Sequence, residues 1–419
     1  MLYKKINACR VCYNKNLKSV IDLGAQSITG DFLSSLKKEY PKISLKLLFC
    51  DRCYLLQLAN TTNPNILYKN YWYVSGTNRT MTNHLKNLSE VIKKNINLKA
   101  RDSILDIGCN DGTFLNNFVS KNLNIYGIDP AKNPTNLIKN KKIKLIKNFF
   151  SKEALDKFRI KKGSLKVITS ISMFYDIDNP NKFIKDIEYF LSTRGVWIVE
   201  MNYLGNMIDK YTFDMIGHEH LTYYSLISFK NLLMKSNLFI NSVSFNDING
   251  GSVRLFISKR KYEDNSVKKL EKYELKKLKL DKVETYKNFY KNIVNYKNKL
   301  RKLVVKLHNN KKKIAILGAS TRGNTILQFC NLNNKYFIGA SDRNPMKNGL
   351  FMSGSHIQIF NEDYIRSLNP DIMFVLPYFY KDELIEREIE YLKNGGKFII
   401  PLPYPKLIYF SKRILEKKL

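Results

Sequence analysis

The sequence contains no apolar run of about eighteen residues, the length a helix needs to cross a bilayer, so no membrane-spanning helix is expected. Its start, MLYKKINACRVC, has no apolar stretch ahead of the first cysteine pair. That argues against a secretory leader and for a cytoplasmic protein. Acidic residues are few: 36 Asp and Glu stand against 71 Lys and Arg, a formal net charge of +35. Histidine (5) and cysteine (6) are scarcer still, so a cluster of either carries information. What is present excludes a disordered chain: 44% hydrophobic and 26% charged residues describe a globular protein. A length of 419 residues exceeds one ordinary core and implies two or three domains.

The positive charge invites a nucleic-acid reading. Its densest stretch, residues 259–313, carries 20 Lys or Arg and 6 Asp or Glu. The same stretch holds a heptad-like apolar stripe of Phe289, Ile293, Tyr296, Leu300, Leu303 and Leu307. Lysines opposite such a stripe are what the wet face of an amphipathic helix needs. A solvated helix is therefore expected here, with no nucleic-acid partner.

Four of the cysteines form two Cys-x-x-Cys knuckles, Cys9/Cys12 and Cys50/Cys53. Such knuckles fit a tetrahedral thiolate zinc site, structural in role, within a module spanning residues 1–65. The 37 residues between the pairs require an elaborated loop. Cys109 and Cys330 stand alone and read as packing residues.

The strongest local signal is Ile104-Leu105-Asp106-Ile107 running into Gly108-Cys109-Asn110-Asp111-Gly112 and a helical stretch from Thr113 to Val119. Glycines at a strand-to-helix turn let a ligand approach the backbone, and a second strand, residues 124–128, ends at Asp129. A carboxylate about twenty residues on suits the two ribose hydroxyls of a nucleoside. The loop lacks the G-x-G-x-x-G of a pyrophosphate binder. It resembles the first motif of class I methyltransferases, D/E-x-G-x-G-x-G, with Asn110 at the middle glycine. S-adenosylmethionine is the cofactor this implies, held by Asp106, Gly108, Asn110, Gly112 and Asp129 in a Rossmann-like domain over residues 66–260. Strands at 165–170 and 195–200 and a helix at 181–191 continue the pattern, and the turn Asn249-Gly250-Gly251-Ser252 introduces a closing strand. In an open parallel sheet ligands sit beyond the carboxyl ends of strands, which adds Met173 and Phe174 to the cofactor wall. Phe174 and Tyr175 could equally pack against neighbours.

Two of the five histidines stand in Gly217-His218-Glu219-His220. The i, i+2 spacing rules out the helical zinc protease motif, which needs i, i+4. In an extended segment both imidazoles would point one way, with Glu219 able to tune them for general-base work. A turn cluster ahead of a helix at 228–235 is the plainer alternative.

From residue 213 to 225 the chain reads FDMIGHEHLTYYS, which resembles the F-D-T-I-x-H-E-H-x-x-Y-x-S signature of the nucleotide-sugar C-methyltransferases. Tyr71-Trp-Tyr73-Val-Ser75-Gly76 with Thr80, Met81 and His84 is similar to a segment that precedes the cofactor domain in that family. The cysteine knuckles match its zinc-binding domain. Leu317-Gly-Ala-Ser320-Thr321-Arg322-Gly323-Asn324-Thr325 resembles G-A-x-x-K-G-N-T, and Ser341-Asp-Arg343-Asn-Pro345 with Lys347 and Gly349 resembles D-x-N-P-x-K-x-G.

The resemblance implies C3 methylation of a dTDP-4-keto-deoxysugar. His220 would be the base that forms the enolate, with His218 and Glu219 orienting it or touching the sugar and Tyr73 assisting at the oxygen. Substrate contacts are expected from Tyr71, Asn202 and Tyr224, and, across a second Rossmann-like α/β domain, from Ser320, Thr321, Arg322, Asn324 and Arg343. That domain, with its helical connection, spans residues 261–419, with strands at 313–317, 336–340, 371–376 and 397–401. Arg322 is read as the cation for a phosphate at the 318–323 turn. Two departures from the family pattern bear on the sugar: Gly217 replaces a tyrosine ahead of His-Glu-His, and Met173-Phe-Tyr-Asp176 replaces Asn and His at the fourth strand's exit. O-methylation of another surface-polysaccharide precursor is the enzymatic alternative, and a basic zinc-bearing nucleic-acid binder the non-enzymatic one. A monomer is expected.

Overall fold

The structure, a computed structural model, describes residues 1–68 and 71–419. Its central sheet has seven strands in the order Phe239–Asn246, Ser252–Ser258, Leu191–Asn202, Leu165–Ile171, Ser103–Ile107, Asn124–Ile128, Ile143–Ile146. Only Ser252–Ser258 runs against its neighbours. Numbered along the chain, the order is 6-7-5-4-1-2-3, the topology of class I methyltransferases. The direction of winding reverses between Ser103–Ile107 and Leu165–Ile171, so a crevice opens beyond their carboxyl ends. The helix Arg79–Asn95 covers one face with Met81, Leu85, Leu88 and Ile92, its start capped by Asn78. The helix Pro180–Phe190 covers the other; Asn179 caps it and Pro180 opens it, one residue ahead of the expected start.

Some sequence expectations shift. The stretch after the glycine loop forms only a 3-10 turn, Leu115–Phe118. The helix expected at 228–235 is Leu226–Leu233, because Ser225 and Ser228 cap each other reciprocally.

A second seven-stranded sheet follows: Ile359–Phe360, Ala340–Ser341, Ile314–Leu317, Ile372–Val375 and Lys397–Ile400 in parallel, then Lys406–Ser411 and Arg413–Lys418 as an antiparallel edge. The expected strand at 336–340 shrinks to Ala340–Ser341, since a turn from Asn333 O to Tyr336 N (3.0 Å) occupies its first part.

The helix Val283–Asn309 joins these bodies. Its buried positions are Tyr286, Phe289, Ile293, Tyr296, Leu300 and Val304. The expected Leu303 and Leu307 pack partly buried against the same core, and Val304 joins the stripe because a straight helix drifts off a strict heptad. Lys287, Lys291 and Lys299 on the other face are exposed, as a solvated helix requires.

The N-terminal residues add an antiparallel sheet, Lys18–Gln26, Ile43–Phe49 and Leu56–Leu58, whose far edge is Thr222–Tyr223 from just beyond His-Glu-His. Phe32–Leu33 pairs likewise with Phe351–Met352. No helix among the described residues is long and apolar enough to cross a membrane.

Candidate active site

A cavity of about 740 Å³ lies where the three bodies meet. Its cofactor side is the glycine loop. Gly108 takes φ +75°, where a Cβ would meet Met173 Cγ at 3.0 Å. Asn110 occupies the left-handed region at φ +52°, a conformation that asparagine tolerates in place of the motif's glycine. Its side chain ties in the preceding segment: Oδ1 accepts from Ser75 N (2.9 Å) and Nδ2 donates to Tyr73 O (3.0 Å). Asp129 accepts the amides of Asn110 (2.9 Å) and Ala131 (2.8 Å), one on each oxygen. Each oxygen keeps a second lone pair for a ribose hydroxyl. Burial raises its pKa, and the two amides oppose that. Asp106 is pushed up to about 7 by burial while Thr169 Oγ1 donates to it at 2.6 Å. These residues and Met173 all line the cavity, so the donor set fits a nucleoside with a polar amino-acid end.

Gly112 and Phe174 do not line it. Gly112 shapes the loop at φ +75°, packed near Ile138 and Ile143. Phe174 is fully buried, with the rings of Phe183, Trp197, Tyr224 and Phe229 5.3–5.4 Å away. It packs in the core, the alternative its sequence position left open, and Tyr224 shares that core and does not line the cavity.

The His-Glu-His segment is a turn, closed by His220 N to Gly217 O at 3.2 Å, so its imidazoles diverge. His218 is buried, with Nε2 on Ile43 O at 3.3 Å, and does not reach the cavity. His220 does. Its Nδ1 lies 2.6 Å from Met215 O. A carbonyl can only accept, so Nδ1 carries the hydrogen and Nε2 keeps its lone pair. Burial holds His220 down to about 4; the Met215 bond opposes this and the charge on Arg322 adds to it. Tyr175 stands edge-on at 4.5 Å between ring centres. Glu219 lines the same cavity, raised to about 7 by burial. Gly30 lies opposite it, and a Cβ there would push the end of the Glu219 side chain aside. Asp176 also lines the cavity, raised by burial and then by Glu219, with no partner for Oδ1 among the described residues. Tyr71, Tyr73 and Asn202 complete this wall.

From the C-terminal sheet come Ser320, Thr321 and Arg322, with Ser320 capping the helix Thr321–Phe329. Arg322 is paired with buried Asp214 (2.7 Å). Asn324 lies away from the cavity, buried and bonded to Thr29 O, Ser353 O and Ser355 Oγ. Arg343 is likewise outside it, paired with Glu383 at 3.5 Å. Both were expected substrate contacts; Asn324 is buried, whereas Arg343 is partly exposed.

Tyr175, weighed from the sequence as either wall or packing residue, lines the cavity, as do Asp176, Asp214, Asn249 and Tyr380, to which the sequence assigned no role. Asp214 sat inside the quoted F-D motif and Asp176 one step past a strand exit. Asn249 was visible only as a turn residue.

The four cysteine sulfurs lie within 4.8 Å of one another. Tetrahedral zinc with bonds of about 2.3 Å spaces its sulfurs about 3.8 Å apart. Cys9–Cys53 and Cys12–Cys50 are at 3.5 and 3.4 Å, so the residues fit the ion. Both knuckles are built alike: Tyr13 N returns to Cys9 O and Tyr54 N to Cys50 O, each tyrosine at φ 60°.

Three family models lie along the chain without overlap. A "Putative zinc binding domain" covers residues 9–68, a "Methyltransferase domain" 77–243 and a "C-methyltransferase C-terminal domain" 247–403. The C-methyltransferase NovU of Streptomyces niveus is 26% identical over 412 residues, 97% of this chain and 98% of NovU. The uncharacterized methyltransferase C70.08c of Schizosaccharomyces pombe is 27% identical over 145 residues, 33% of this chain and 54% of that one. The solved structure of the plantazolicin methyltransferase BpumL with SAH and a substrate analog has a TM-score of 0.33 at 15% identity, covering 42% of this chain and 83% of that one. The chain is an S-adenosylmethionine-dependent methyltransferase with a zinc-binding domain. It carries these three domains in series and is similar over nearly its whole length to a C-methyltransferase.

Proposed function

We propose that the chain methylates a carbon next to the keto group of a nucleotide-linked sugar, with a dTDP-4-keto-deoxysugar methylated at C3 as the leading substrate. The observation that carries this is His220: a neutral imidazole with Nδ1 anchored on Met215 O and the lone pair left on Nε2, on a residue that lines the cavity shared with the cofactor loop. The carbonyl acidifies its α-hydrogen. His220 Nε2 takes that proton, and the C–H electron pair becomes the enolate. Bound S-adenosylmethionine supplies an electrophilic methyl group whose C–S pair leaves on sulfur as the C–C bond forms.

Asp129 receives the cofactor ribose, and Gly108, Asn110, Asp106 and Met173 shape its remaining pocket. Glu219, Tyr71, Tyr73 and Asn202 orient the sugar, while Ser320 and Thr321, at a helix start, meet the diphosphate. The same proposal divides the chain into residues 1–65, 66–260 and 261–419 and has it act in the cytoplasm as a monomer, without nucleic acid.

The test is hydrogen exchange. In D2O without methyl donor, the wild type should wash the α-hydrogen out of a dTDP-4-keto-6-deoxysugar, read by NMR, and His220→Ala should not. Absence of exchange across a panel of 4-keto sugars, with methyl found on oxygen, would favour O-transfer instead.

A further inference from the structure

The guanidinium of Arg322 has five N–H donors in a fixed plane. Its Nε donates to Asp214 Oδ2 at 2.9 Å. Its Nη2 donates to Tyr378 Oη (3.2 Å) and stands 2.7 Å from Asp214 Oδ2 as an ion pair. Its Nη1 gives one to Asn249 O at 2.6 Å. The second Nη1–H has no partner among the described residues, and the side chain lines the cavity. The two-pronged edge that would grip a phosphate is turned onto a buried carboxylate, whose other oxygen takes Tyr378 Oη at 3.0 Å. Asp214 also neutralises the charge that would draw in a diphosphate. What remains is one rigid donor for one oxygen. Phe379 lies beneath the guanidinium at 4.6 Å and fixes its plane.

The same network reaches the base. Asn249 O also accepts Asn202 Nδ2 (3.2 Å), Asn202 Nδ2 touches Met215 Sδ (2.8 Å), and Met215 O holds His220 Nδ1 (2.6 Å). Donor and base are thus mounted on one frame.

We propose that Arg322 is a catalytic residue whose free Nη1–H donates to the sugar's carbonyl oxygen and holds the negative charge that gathers there as His220 removes the α-proton. The proton ends on His220 Nε2, the C–H pair forms the C=C bond, and the carbonyl π pair moves onto the oxygen that Arg322 faces. This rests on the keto-sugar function proposed above, and replaces a phosphate role for Arg322. A preorganised donor aimed at a developing oxyanion is worth about 10²–10³ in rate when removed.

The experiment measures wild type, Arg322→Lys and the double variant Asp214→Asn/Arg322→Met, which leaves no unpaired buried carboxylate. Three quantities are read for each: α-hydrogen exchange at saturating dTDP-4-keto-6-deoxyglucose, the Kd of dTDP by calorimetry, and the melting temperature. Exchange should fall about a hundredfold or more in the double variant, and less in the lysine variant, with dTDP affinity within about twofold of wild type. A tenfold weaker dTDP with saturated exchange unchanged would overturn the proposal and return Arg322 to the phosphate. An exchange loss accompanied by a collapsed melting temperature in both variants would also overturn it, assigning Arg322 to structure. Failure of the wild type itself to exchange would instead strike the keto-sugar function.

Discussion

If His220 is the base, its shielding should keep the enzyme working in acid. The imidazole is held down to about 4, first by burial. With that value about 97% of it is neutral at pH 5.5, whereas an ordinary imidazole near 6.5 would be about 9% neutral. Exchange should therefore fall by less than about twofold between pH 7.5 and 5.5, against about tenfold for an unshielded histidine. Glu219 offers the contrasting profile. Its carboxyl is raised to about 7. Were it the base, exchange would be halved near pH 7 and drop about thirtyfold by pH 5.5. Initial rates of deuterium exchange at low substrate, for wild type and Glu219→Gln, separate the two. A limb near pH 7 that disappears in Glu219→Gln would refute His220 as base; a limb near 6.5 would refute its shielding. Stability sets the lower bound of the window. His218, also pushed to about 4, and His220 bind protons in the unfolded chain near 6.5 but in the folded one only near 4. Each therefore withdraws up to about 3 kcal/mol of stability as pH falls from 6.5 to 4. Rates are best taken above pH 5, with folding checked by circular dichroism.

Asp129→Asn sets an amide N–H against the backbone N–H of Asn110 or Ala131 and removes the charged ribose acceptor. The Kd for S-adenosylhomocysteine by calorimetry should rise about tenfold to a hundredfold, matching a charged hydrogen bond of about 1.5–3 kcal/mol; an unchanged Kd would remove Asp129 from the cofactor. Phe174→Ala should cost about 3–5 kcal/mol in urea unfolding while leaving that Kd intact, because the ring fills a core and not the cofactor wall; the reverse pattern would reinstate it there. Cys53→Ser should lower zinc content by atomic absorption and with it turnover, and full activity without metal would disprove a coupling between the two.

Local signals were legible where chemistry and spacing coincide within a few residues. The glycine loop, Asp129 and the two knuckles needed only neighbours along the chain, and the strand at Asn124–Ile128 has the bounds its apolar pattern predicts. The misplacements share a different cause. His218 is fixed by Ile43 O, 175 residues away, and Arg322 by Asp214, 108 residues away. No periodicity reports a partner at that separation. Phe174 and Tyr224 failed for a related reason: an aromatic at a strand exit can face crevice or core, and only the packing of Trp197, Phe183 and Phe229 decides. The closing hairpin 406–418 escaped notice because its edge strand, Arg413–Lys418, buries almost nothing.

Four thiolates leave zinc no open position, so the ion can act on catalysis only through the frame it holds. That frame leads to His220, the proposed base. The knuckle at Cys50 and Cys53 runs directly into Leu56–Leu58, whose edge takes up Thr222–Tyr223 two residues past His220. Leu58 N donates to Leu221 O and Leu221 N to Tyr175 O, both at 2.9 Å. On the other side of the turn Met215 O fixes the ring. His220 is therefore clamped between a carbonyl of its own loop and a strand pairing that the zinc site anchors. Arg10, between the first two cysteines, strengthens the tie through Leu58 O (2.7 Å), Thr61 Oγ1 (2.8 Å) and Asp178 (3.3 Å). A base misplaced by about 1 Å can lose about a hundredfold in rate. With His220 as the proposed base, a metal site remote from the chemistry would act by holding one imidazole still.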